Sequence, residues 1–205
     1  MMLDPAPDSV ALEIVGQLAD GPDTIILLGP KEPEFWPAFS SSEEFADGAP
    51  DPLDRYSKRI VGELAQDWGG KAVFPSDGPP YPPFITWALE SGEIWSSPVG
   101  LMVHHRQGLW LSFRGAVRLE GQELQAPKAS RSPCSYCMGP CISACPVGAF
   151  AGGSYDVEAC KARLDTAEGA DCWKGCLVRR ACPISQSYGR LSEQSEFHMK
   201  AFYPK

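Results

Sequence analysis

The chain has 205 residues, with 18 Lys and Arg against 26 Asp and Glu for a net charge of -8. That length can bury a real core as one domain, or as one domain with an appendage. No apolar run approaches the ~20 residues of a membrane span, and the acidic balance argues against a nucleic-acid partner. The opening MMLDPAPDSV lacks the basic and apolar regions of a secretory signal, so a reducing cytoplasm is expected. Charge is uneven: residues 1–127 carry 8 basic and 19 acidic side chains, net -11, whereas residues 128–205 carry 10 and 7, net +3.

In chain order, Val10, Ala11, Ile14, Val15 and Leu18 recur at helical spacing behind Asp8 or Ser9, which predicts a helix over 9–19. Thr24–Leu28 is wholly apolar beyond its first residue and stops at Gly29-Pro30, as a buried strand does. Residues 31–50 read as an ordered loop or short helix. Asp51 to Trp68 predicts a helix: Pro52 sits in its first turn, Leu53, Tyr56, Ile60, Val61 and Leu64 share a face, and Gly69-Gly70 ends it. A strand over Lys71–Phe74, an irregular SDGPPYPP and a short helix over Phe84–Glu90 follow. The runs 99–104 and 109–119, joined at Arg106-Gln107-Gly108, predict a hairpin, and 120–133 a linker. The fold class expected is α+β with an antiparallel element.

All eight cysteines lie between Cys134 and Cys182. The first block is C-x2-C-x3-C-x3-C-P (Cys134, Cys137, Cys141, Cys145); the second runs Cys160, Cys172, Cys176, Cys182 and ends in Pro183. A terminal Cys-Pro marks the two-cluster bacterial ferredoxin run, which this segment resembles. Relative to that run the first block has one extra residue, which a turn at Gly139-Pro140 can absorb. The second block departs further. The resemblance implies two [4Fe-4S] clusters, with the last cysteine of each block serving the other cluster. Cys134, Cys137, Cys141 and Cys182 would then hold one, and Cys145, Cys160, Cys172 and Cys176 the other. Structural zinc and a disulfide framework are the rival uses of such cysteines.

Residues 97–121, SPVGLMVHHRQGLWLSFRGAVRLEG, resemble a segment of the cobalamin-processing (cblC-type) trafficking proteins. His104, Gly108, Trp110, Arg114 and Gly115 match in register, and His105 replaces that family's Pro. RLSEQSEFHMKAFYP at 190–204 is similar to a second, weaker stretch. The isolated Cys160 resembles a feature of epoxyqueuosine reductases, which join a related domain to a two-cluster ferredoxin domain. These likenesses imply a flavin-reductase-like domain over 1–127, a ferredoxin-like cysteine domain over 128–190, and a tail, 191–205, packed back on the first. They also imply a cobalamin or flavin site that includes His104, Trp110, Arg114 and Gly115.

For individual side chains the ordinary uses stand beside the functional ones. His104 lines a cofactor pocket or bonds backbone at a strand end, and His105 should point the other way. Arg114 grips an anion or makes a cross-strand ion pair. Trp110 stacks or fills core. Gly115 permits close backbone approach or a bulge. Tyr136 and Trp173 shield clusters or simply pack, and Lys174, Arg179 and Arg180 offer positive potential or a docking face for a redox partner protein. The role expected is an iron–sulfur oxidoreductase passing single electrons to a flavin, corrinoid or small substrate. A non-enzymatic corrinoid carrier and a plain ferredoxin are the alternatives.

Overall fold

A computed structural model of the chain describes residues 10–122 and 131–204. Residues 123–130 of the expected linker and the expected caps Asp8 and Ser9 lie outside the described residues. The fold is mixed α and β with an antiparallel sheet. It divides into two units, one within 1–94 and 112–130, the other within 95–111 and 131–205. Residues 95–111, expected with the N-terminal domain, and the tail 191–205 therefore group with the cysteine segment. Among the described residues no helix is long and apolar enough to cross a membrane.

The first unit is built on strands β1 (Leu12–Asp20), β2 (Asp23–Pro30), β3 (Lys71–Val73) and β6 (Gly115–Leu119), in the order β1-β2-β6-β3 and antiparallel throughout. β2 lies between β1 and β6. Ile25, Ile26, Leu27 and Leu28 are fully buried, which is why the strand is a continuous apolar run rather than an alternating one. Helices α1 (Phe35–Ser40), α2 (Glu43–Ala46) and α3 (Pro52–Asp67) follow β2. α3 buries Tyr56, Ile60, Val61, Leu64 and Ala65 and packs on β3 and β6. Its Tyr56 meets Phe39 at 5.4 Å and Phe35 at 6.1 Å between ring centres. α4 (Phe84–Glu90) turns Phe84, Trp87 and Ala88 inward and packs against β1. Arg118 of β6 ties the β1–β2 turn by bonds to Asp20 (2.7 Å) and Asp23 (2.9 Å).

Two elements differ from expectation. Residues 12–20 form a strand, not a helix. The register against β2 slips between Ile14 and Gly16, so Val15 is an extra bulged residue. The bulge buries Val15 and Gly16 together, and a period of two broken this way counterfeits helical spacing. The predicted 99–119 hairpin is also not formed. The turn at 105–107 does close, with His104 and Gly108 bonding backbone to backbone at 3.1 and 2.9 Å. After Leu109, however, the chain is irregular, and Gly115–Leu119 pairs with β2 and β3 instead. Leu109 N–H is held by Ser185 Oγ at 2.8 Å, a partner 76 residues away. The sheet's hairpin is β1–β2, turning at Gly21-Pro22.

In the second unit, β4 (Ile94–Ser96) and β5 (Met102–His104) form a ribbon. Short 3-10 turns carry the first cysteine block, and helices α5 (Val157–Leu164), α6 (Ala170–Trp173), α7 (Leu177–Ala181), α8 (Pro183–Ser187) and α9 (Ser192–Phe202) follow. The core joins Val99, Val103 and Leu109 to Cys141, Val178 and Cys182. Cysteines thus take the place of aliphatic side chains at its centre.

Candidate metal centre

Local backbone chemistry curls the first cysteine block. Ser132 Oγ accepts the Cys134 N–H at 3.3 Å and starts the 3-10 turn Pro133–Tyr136. Gly139 at φ 70° then reverses the chain into a second turn, Pro140–Ser143. This left-handed glycine lies between Cys137 and Cys141. Two sulfurs accept backbone N–H groups: Cys137 Sγ from Gly139 at 3.4 Å and Cys145 Sγ from Ala149 at 3.3 Å.

The second block is spread over helices. Asp156 caps α5 by accepting the Ala159 N–H at 2.9 Å, and this helix carries Cys160. Cys172 lies in α6, Cys176 is the residue before α7, and Cys182 joins α7 to α8. The x5 spacing before Cys182 is the length of α7, so a helical turn brings Cys182 back beside Cys141 in the core.

All eight cysteines are free thiols. Cys134, Cys137, Cys141 and Cys182 line one cavity of about 100 Å³, together with Val103, Leu109, Ile142 and Pro183. Burial raises the Cys134 and Cys141 thiols, and their next thiol neighbours, Cys137 and Cys182 among them, raise them further. Burial likewise raises Cys160 and Cys172, and each also feels Cys145 and Cys176. The cavity thus joins three cysteines of the first block to Cys182 of the second, and Cys160 and Cys172 of the second block feel Cys145 of the first.

Soft thiolates in fours suit zinc or an iron–sulfur cluster. Apolar surroundings and N–H groups aimed at sulfur are the features by which a protein tunes cluster potential. Arg179 adds a half-buried guanidinium that donates to the Leu109 carbonyl; desolvation lowers its pKa, and the Cys176 and Tyr155 charges oppose that. Tyr136, considered as a shield, is 73% exposed, as Met138 is at 98%, so this edge is open. Trp173 is half-buried and donates to the Leu164 carbonyl at 3.1 Å.

The residues singled out within 97–121 are divided between the units. His104 is fully buried. Its Nδ1 accepts the Arg106 and Gln107 N–H groups at 3.4 and 3.2 Å, so the proton sits on Nε2, which has no hydrogen-bond partner among the described residues. Burial, then the charges of His105 and Arg106, push its pKa down to about 3, and the ring is neutral. The His105 ring does not point away as expected but lies 4.3 Å from that of His104. Trp110 carries the Arg190 guanidinium on its ring at 5.4 Å. In the other unit, the Arg114 N–H bonds Leu28 O at 2.8 Å, and Gly115 lies under Val61 and Phe74, each 3.1 Å from where its Cβ would be. Gly115 thus serves packing. Sequence reasoning missed Ser185 and Arg190, because only tertiary structure brings them to the 104–110 turn.

No family model, curated protein or solved structure matches the chain.

Proposed function

We propose that this protein is an iron–sulfur electron-transfer protein. Cys134, Cys137, Cys141 and Cys182 hold one [4Fe-4S] cluster, and Cys145, Cys160, Cys172 and Cys176 hold a second. The observation that carries this is that Cys182 of the second block lines one cavity with Cys134, Cys137 and Cys141 of the first; the second set of four follows from the ferredoxin-like pattern. The ferredoxin-like Cys-Pro endings support it further. Bound clusters would supply one-electron chemistry. The chain's own residues would ligate, exclude water and aim N–H groups at Cys137 and Cys145 sulfur. A reducing compartment and a partner protein that gives or takes electrons follow from this role. A flavin or corrinoid as acceptor, in a flavin-reductase-like domain, rests on the resemblance of residues 97–121 alone.

The test is an anaerobic reductive titration. Two clusters take up about two electrons per chain, one each, with bleaching of a brown protein. A colourless protein with one zinc per set, which the same thiols would also hold, contradicts the proposal.

A further inference from the structure

A second, larger cleft opens in the cysteine unit, about 670 Å³ in volume. That is within the range of small-molecule sites, roughly 300–1,000 Å³. Its charged lining is wholly basic: Lys174, Arg180 and Arg190, in a chain whose net charge is -8. Arg190 lies over the Trp110 ring and donates to Ser195 Oγ at 3.3 Å, so its guanidinium plane is set in place before any ligand arrives. Arg180 is fixed at the rim by Asp171 at 2.8 Å, and Lys174 is exposed. Ser192 and Ser195 add hydroxyls at the first turn of α9.

The position of the cleft is as informative as its charge. Ala144, Leu177 and Ala181 in its wall are the chain neighbours of Cys145, Cys176 and Cys182, and Lys174 lies between Cys172 and Cys176. Its wall is therefore continuous with the ligand-bearing backbone of both thiol sets.

We infer that this cleft is a binding site for a small organic oxyanion, carrying phosphate or more than one carboxylate, held by Lys174, Arg180 and Arg190 beside the two thiol sets. A planar guanidinium set on an indole suits a forked contact to such a group, and Lys174 supplies a mobile second charge. The site stands whether the thiols hold iron or another metal.

Calorimetric titration of the full chain, prepared anaerobically, tests it with inorganic phosphate, pyrophosphate and citrate, iron being counted on the same sample. One saturable site is expected for pyrophosphate or citrate, and whichever binds tighter identifies the anion class. Lys174→Gln weakens binding severalfold, and adding Arg190→Gln weakens it at least tenfold, while unfolding temperature and metal content stay those of the wild type. Should the double variant unfold, Lys174→Gln alone and the salt dependence of wild-type binding decide. No saturable heat with any of the three anions, or unchanged affinity in folded variants, overturns the inference. Binding by an iron-free preparation keeps it and counts instead against the cluster proposal.

Discussion

Cys145 and Cys182 decide how the thiols are shared, and double substitution exposes the sharing. If both serve the opposite block, Cys134→Ser with Cys182→Ser damages one cluster twice and leaves about half of the iron. Cys134→Ser with Cys145→Ser damages both and leaves little. Block-by-block ligation predicts the reverse pattern in iron content and in the EPR signals of the reduced variants. Protons report on the same residues. Burial raises the Cys134, Cys141, Cys160 and Cys172 thiols, whereas metal requires thiolate. Loading should therefore release protons, and apparent metal affinity should rise with pH. A pH-independent reconstitution would contradict that. In the first unit a carboxyl is shifted the other way, down instead of up. Arg59 bonds Glu44 at 2.6 Å and holds its carboxyl down at about 2. The stability this contributes is fully present above the ordinary value of 4.5 and is lost as pH falls toward about 2. Glu44→Gln should flatten the acid limb of the stability profile in that window, at a cost of at most about 1 kcal/mol for so exposed an arginine.

At the scale of elements, α3 is legible in the sequence: Pro52 at the start, a buried stripe through Leu64, glycines at the end. That stripe makes its energetics predictable. Leu64→Ala should cost about 2–5 kcal/mol in chemical unfolding, and Lys58→Ala on the exposed side within about 0.5 kcal/mol. β1 is illegible there because a bulged Val15 disguises a strand as a helix. The 104–110 turn is legible as a turn but not as to its partner, because Gly108 backs onto Ser185. A Cβ at Gly108 would stand 2.5 Å from the Ser185 nitrogen, and its φ is 59°. Gly108→Ala should therefore lower stability by at least about 1–3 kcal/mol and disturb α8; an unchanged unfolding curve would show that the α8 contact is not tight. The cysteine grouping is suggested by the Cys-Pro endings alone, since local spacing cannot say that a five-residue helix returns Cys182 to the first block.

At the scale of the whole molecule, two stretches of opposite charge are joined in one chain, net -11 over 1–127 and +3 over 128–205. The positive balance coincides with eight thiols, which would become negative on ligation, and with the basic cleft. The central claim is that these thiols hold two four-iron clusters. Its most direct test is iron and acid-labile sulfide per chain on anaerobically purified protein, with EPR after reduction. The claim predicts about eight of each, with signals from two interacting clusters. Protein that carries neither iron nor sulfide, with zinc or disulfides at the same cysteines, would contradict it.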